Sequence, residues 1–140
     1  MQRFADELFS SFSVCQKGCS HCCKYDVVVG RLEAKYISLK TNKNIDIGNS
    51  ITTNHNSDCP FLLKKGECGI YEYRPIVCRT LHTLDDPSYC STPDIPHQLY
   101  GVSGGLGVGF YENVQRAFFM LTDSVCAPRG KRDIRDWFPD

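Results

Sequence analysis

Cys15-Gln16-Lys17-Gly18-Cys19-Ser20-His21-Cys22-Cys23 places four thiols in nine residues, and Cys59, Cys68, Cys78, Cys90 and Cys126 follow. Ordinary cores take up thiols one at a time. Thiols crowded this closely repel one another as thiolates unless a soft cation such as zinc, iron or an iron–sulfur cluster collects them. The stretch therefore predicts a small α+β domain, partly irregular, organised around a cysteine-ligated metal.

Cys15-x3-Cys19-x2-Cys22 has the spacing with which radical S-adenosylmethionine enzymes hold a four-iron cluster. Those enzymes also need most of a large βα barrel, and this chain has neither the length nor the alternation of strands and helices. In the pair Cys22-Cys23, neighbouring side chains of an extended backbone point to opposite faces. The two thiols address one centre only through a turn, or else serve different centres. Only Cys19 and Cys22 have Cys-x2-Cys spacing, so the paired hooks of a zinc ribbon are missing. Later cysteines must complete the site, and Cys59-Pro60, Cys68 and Cys78 are the candidates; proline after cysteine also occurs in ferredoxin-type sequences.

The 140 residues fit one domain able to bury its own core, so a metal is not required by size. A hydrophobic share of 41% and a charged share of 23% are those of a globular protein. Sixteen acidic residues balance sixteen basic ones, and the densest basic stretch, Arg129-Gly130-Lys131-Arg132, is short and followed by Asp133 and Asp136. Nucleic acid is not an expected partner. Asp6 and Glu7 interrupt the stretch where a signal peptide needs an apolar run, and no segment approaches a membrane span. These features predict a cytoplasmic protein without membrane association. In a reducing cytosol an odd count of nine cysteines favours metal ligation over disulfides, the alternative being a secreted disulfide module that has lost its leader.

Phe4, Leu8 and Phe12 predict an amphipathic helix leading into the cluster and covering it. Val27-Val28-Val29 predicts a short strand ended by Gly30, and Arg31 to Leu39 a helix with Leu32, Tyr36 and Leu39 at helical spacing and Glu33 open to solvent. Residues 41–56, rich in Asn, Thr and Ser, read as a loop or weak hairpin. Phe61-Leu62-Leu63, the turn Lys64-Lys65-Gly66-Glu67 and Gly69-Ile70-Tyr71 predict a β-hairpin with Cys59 and Cys68 near its ends. Pro75 in a first turn predicts a short helix carrying Cys78. Leu84 to Gln98 reads as a surface loop holding Cys90. Tyr111 to Asp123 predicts a core helix with Val114, Phe118, Leu121 and Val125 on one face. The end of the chain predicts a helical turn docking Trp137. Cys126 reads as a small buried hydrophobe.

The order Cys15-x3-Cys19-x2-Cys22-Cys23, then Cys59-Pro60-Phe61-Leu62, then Cys68-x-Ile70-Tyr71-Glu72-x-Arg74-Pro75-x-x-Cys78-Arg79 resembles the YkgJ-type cysteine-cluster proteins, described as zinc- or iron-chelating domains. Leu32-Glu33-Ala34 also fits. The resemblance spans about residues 15–79 of a single 1–140 domain and leaves a C-terminal helical extension, about 97–140, outside it. It implies metal binding and a bacterial, cytoplasmic setting, and it supplies no reaction. A related cluster occurs in flagellin lysine methylases.

Cys15, Cys19, Cys22, Cys23, Cys59, Cys68 and Cys78 are the expected ligands of one or two centres, an iron–sulfur cluster ahead of zinc because the run is crowded. His21 and His82 lie close enough to substitute, but cysteines are in surplus. Lys17, Lys24, Arg74 and Arg79 stand beside the thiols in sequence and would lower their pKa values and offset thiolate charge. Arg74 and Arg79 also suit a structural bridge to Glu72 or Glu33. Gly104-Gly105-Leu106-Gly107-Val108-Gly109 lacks the strand and the Lys-Ser/Thr of a phosphate loop and reads as a flexible turn. No general base, nucleophile pair or cofactor fingerprint assigns catalysis. The alternatives to a simple metal-binding role are an enzyme of methylase or redox type and a zinc-stapled module for an unidentified protein partner.

Overall fold

The computed structural model describes residues 7, 11, 14, 15, 18–48, 50–92, 98–100, 108–125 and 130–139. A 3₁₀ turn (His21–Lys24) leads into β1 (Val28–Gly30) and α1 (Arg31–Thr41), and a second 3₁₀ turn (Tyr71–Tyr73) precedes α2 (Ile76–Thr80) and β2 (His82–Thr83). A third (Pro87–Ser91) is followed by β3 (Leu99–Tyr100), α3 (Val108–Val125), β4 (Lys131–Asp133) and α4 (Ile134–Trp137). The fold is thus mixed α and β, with two antiparallel pairs, β1 with β4 and β2 with β3. No described helix is long and apolar enough to cross a membrane.

The β-branched run after the cluster does form a strand, and its partner comes from the far end of the chain, with Val28 opposite Asp133 and Val29 opposite Arg132. Asp133 holds this closure. Its Oδ2 accepts the Val27 N–H at 2.7 Å, while Oδ1 accepts the Arg135 N–H at 2.8 Å and so caps α4. Beyond the cap, the Trp137 indole N–H donates to the Val29 carbonyl at 2.9 Å, and the ring is 3% exposed. The expected docking of Trp137 therefore occurs against β1. Val27, Val29, Ala34, Ile37, Phe61, Ile70, Ile134 and Phe138 complete the core around it, with Phe61 and Phe138 edge to face at 4.9 Å. Each large apolar side chain buried here contributes about 1.5–3 kcal/mol.

α1 forms where predicted, but the face it buries differs. Leu32, Tyr36 and Leu39 stay exposed, and Glu33, Ala34 and Ile37 turn inward. The reason is the Glu33 carboxylate. Oε2 accepts the Gly30 N–H at 3.1 Å at the start of α1, and Oε1 accepts the Ile76 N–H at 2.7 Å at the start of α2. One side chain thereby serves the open N–H groups of two helices. Burial pushes its pKa up, against the pull of those two N–H bonds and of Arg79.

The segment between Cys59 and Tyr71 turns where expected, yet its ladder shrinks to one bridge, Leu62 with Cys68. Gly66 takes a positive φ of 80° in that turn, and a Cβ on Gly69 would stand 3.0 Å from the Phe61 carbonyl oxygen. Residues 41–48 and 50–56 have no strand, as a loop requires. α3 extends beyond the predicted helix at both ends, taking in Val108 and Gly109 of the expected flexible turn, and Leu121 is 64% exposed rather than core. The helix packs on α2 and β1 instead through the line of Gln115, Phe119 and Thr122, with the Gln115 amide donating to Thr80 Oγ1 at 2.7 Å. The predicted helix around Phe4 to Phe12, apart from Glu7 and Ser11, the 104–107 glycine run and Cys126 lie outside the described residues.

Glu33→Ala leaves two N–H groups without their acceptor and should cost about 2–3 kcal/mol. Urea unfolding checks this, and a midpoint equal to that of the wild type would show that the double cap is dispensable.

Candidate metal centre

Local geometry settles how two adjacent thiols can serve one place. Cys22 and Cys23 lie in the 3₁₀ turn His21–Lys24, closed by the Cys23 N–H on the Ser20 carbonyl at 2.9 Å, so the opposed faces of an extended pair do not apply. The Cys59 N–H then donates to the Cys23 carbonyl at 2.8 Å and draws a distant loop onto the turn. Cys68 follows from the Leu62 bridge, and Cys78 sits on α2 behind Pro75. Cys15 is placed from the other side, its Sγ accepting the Thr83 N–H at 3.1 Å while the Val14 N–H donates to the Thr83 carbonyl at 3.2 Å.

These seven thiols all line one cavity of about 320 Å³. Cys90 lines it too, held by the Tyr25 hydroxyl, which donates to the Cys90 carbonyl at 3.0 Å. Every described cysteine is a free thiol. His82 also lines the cavity, its Nε2–H donating to the Arg79 carbonyl at 2.8 Å, whereas His21 and Lys24 do not. Lys17 lies outside the described residues.

Cys23 is the hub. Its thiol is within hydrogen-bonding reach of those of Cys22, Cys59 and Cys68, and offering its one S–H among them holds Cys23 far above an ordinary thiol while lowering these three partners. Cys22 falls to about 7 and Cys68 to about 6, in each case because the bond from Cys23 outweighs burial. Burial keeps Cys78 well above the usual range, and it raises Cys15 against the opposing Thr83 N–H. Cys90 is pushed up to about 11, first by burial and then by Cys15 and Cys19. Arg74 is the cation acting on Cys15, Cys22, Cys68 and Cys78, and it is steadied by stacking 3.8 Å over the Tyr71 ring. The expected charge offset therefore falls to Arg74. Arg79 instead braces backbone, donating to the carbonyls of Arg74 at 2.8 Å and Glu72 at 2.6 Å.

Arg135 is the functional residue that sequence reading misses. Its guanidinium donates to the carbonyls of Cys23 at 3.1 Å, Ser57 at 2.9 Å and Tyr25 at 3.3 Å, and pairs with Asp133 at 3.0 Å. It also helps lower Cys59. No motif marks it, because the contact with Cys23 spans 112 positions. Its one local signal is a basic residue just after a helix-capping aspartate.

Eight sulfurs around one cavity are a donor set suited to a soft metal. Among the described residues the set of three potential ligands whose donor atoms all lie within 4.8 Å is Asp26, His55 and Asp133, not a trio of thiols. That set is a backbone clamp: Asp26 accepts the N–H groups of Asn54 and His55, and Asp133 those of Val27 and Arg135.

A family model described as "CxxCxxCC: Putative zinc- or iron-chelating domain" matches residues 14–127. The chain belongs to this YkgJ-type family, which supports metal binding in general. The match reaches well beyond Arg79 and takes in Cys90. No curated protein and no solved structure is significantly similar to the chain.

In the reduced, metal-free protein the ultraviolet thiolate absorbance should rise through a step between pH 6 and 7, from Cys68 and Cys22. Cys23→Ala removes the donor that lowers them, so the step should move up toward the ordinary thiol range of about 8.5. An unmoved step would take the hub role away from Cys23. Arg135→Ala, which strands three carbonyls and the Asp133 carboxylate, should cost about 3 kcal/mol in thermal or urea unfolding. A loss within experimental error would remove Arg135 as the brace of the cluster.

Proposed function

We propose that the chain is an iron–sulfur protein in which Cys15, Cys19, Cys22, Cys23, Cys59, Cys68 and Cys78 supply the ligands of the metal site. The observation that carries this reading is the convergence of all seven thiols on one cavity of about 320 Å³. The crowding of Cys15, Cys19, Cys22 and Cys23 into nine residues favours an iron–sulfur cluster over a lone zinc, because such a run can reach several corners of one cluster. Arg74 and Arg135 would balance part of the thiolate charge, and the Cys23 carbonyl, held by Arg135, fixes the turn that presents Cys22 and Cys23. When bound, such a cluster supplies electron-transfer capacity or a structural staple.

Protein purified without oxygen should be brown, contain iron and acid-labile sulfide, and bleach on exposure to air. Cys19→Ser, Cys22→Ser, Cys59→Ser and Cys78→Ser should each strip metal. A colourless protein holding tight zinc and no sulfide, even after anaerobic reconstitution, would replace the cluster with a zinc centre, and metal-free protein would sink the metal site altogether.

A further inference from the structure

Outside the thiol cavity, the loop that leads to Cys59 is fastened at its centre by His55, whose side chain is 13% exposed. The ring lies among three carboxylates. Nδ1 stands 2.8 Å from Asp26 Oδ1 and 3.8 Å from Asp133 Oδ1, and Nε2 stands 2.5 Å from the Thr52 hydroxyl, which itself donates to Asp136 Oδ1. Counting protons decides which atoms donate. Asp136 Oδ2 also accepts the Thr52 N–H at 2.9 Å, so the single hydroxyl proton is committed to Asp136 and Thr52 Oγ1 offers Nε2 only lone pairs. Nε2 must therefore carry a proton. Asp26 accepts the N–H groups of Asn54 at 2.6 Å and His55 at 3.0 Å, as an ionised carboxylate does, and Nδ1 bonds to it only with a proton of its own.

The charges around the ring agree with this count. Burial would raise Asp26, but the bonds from the His55 ring and from the two N–H groups outweigh it and hold the carboxyl below its usual range. On Asp136 burial is outweighed in the same way by the two Thr52 bonds, with His55 and Arg132 adding to them. Asp133 pairs with the Arg135 guanidinium at 3.0 Å. The three carboxylates thus face three cations, Arg132, Arg135 and a charged His55.

We infer that His55 carries both ring protons in the closed fold and works as a pH-operated latch on residues 52–57. Loss of either proton leaves a lone pair facing the Thr52 hydroxyl oxygen or the Asp26 carboxylate, and that fastening breaks. Histidines change charge between about pH 5 and 8, a range in which the depressed Asp26 and Asp136 stay ionised. The ring alone therefore sets the sign: the latch is closed on the acid side and loosens as pH rises. Two fastenings nearer the cavity do not titrate with it, the Ser57 carbonyl on Arg135 and the Cys59 N–H on the Cys23 carbonyl. The opening is confined to the stretch before them, so the latch sets how firmly the approach to Cys59 is held, whichever metal the cavity binds.

The test is hydrogen–deuterium exchange read by mass spectrometry on anaerobically purified wild type and His55→Gln, from about pH 5.5 to about pH 8.5, with rates corrected for the intrinsic pH dependence of amide exchange. In wild type the protection of residues 52–57 should fall about tenfold or more as pH rises, while β1 keeps its protection. In His55→Gln, which cannot be charged, the protection of the loop should not change with pH. A wild-type profile flat in pH, a fall shared equally by β1, or a fall that persists in His55→Gln overturns the latch. Should His55→Gln fail to fold, exchange at the imidazole C2 position of wild type decides, because it reports the charge of the ring. The ring should lose its proton over the range in which the loop loosens, and a ring already neutral at about pH 5.5, or one that titrates out of step with the loop, overturns the inference.

Discussion

The clamp between the two ends of the described chain is the constraint on which the site depends. Asp133 accepts the Val27 N–H and the Arg135 N–H, and Arg135 reaches back to the carbonyls of Cys23, Tyr25 and Ser57. Thiolates repel, and a short strand pair alone is marginal in water. A guanidinium with four partners holds the turn that presents Cys22 and Cys23 and the loop that leads to Cys59, so the backbone stays converged while the sulfurs push apart. The C-terminal segment is therefore part of the cluster's scaffold.

A second economy of charge sits inside the cavity. Cys23 retains its proton and shares it by hydrogen bonding, which lets Cys22, Cys59 and Cys68 ionise more readily. Cys78 and Cys15 stay protonated more strongly because burial dominates there. The wall thus carries easily ionised and reluctant thiols side by side. A metal bound through the reluctant ones would have to displace their protons, which would couple its binding to pH and to folding.

The thiol run and the later cysteines were legible because their chemistry is written in residue type and crowding, and the family match now covers more of the chain than the motifs alone suggested. The strand at Val28, the helix at Arg31 and the docking of Trp137 were legible from β-branching, helical periodicity and aromatic burial. The buried faces of α1 and α3 were not. Periodicity assigns apolar residues to the core, but the Glu33 carboxylate serves two helix starts and turns Leu32, Tyr36 and Leu39 outward, while α3 shares its packed face between Val114, Gln115, Phe118 and Phe119 and leaves Leu121 exposed.

By itself the sequence determined that the chain concentrates soft ligands, in which segments, and what class of partner such ligands select, because thiolate chemistry does not depend on how the chain is folded. Only the tertiary structure decided which thiols share a cavity, that Cys90 joins them, and that Arg135, from the far end of the chain, braces the turn that carries Cys23. These are contacts across 65 to 112 positions, and nothing local in a sequence encodes a meeting that the packing of β1 against β4 brings about.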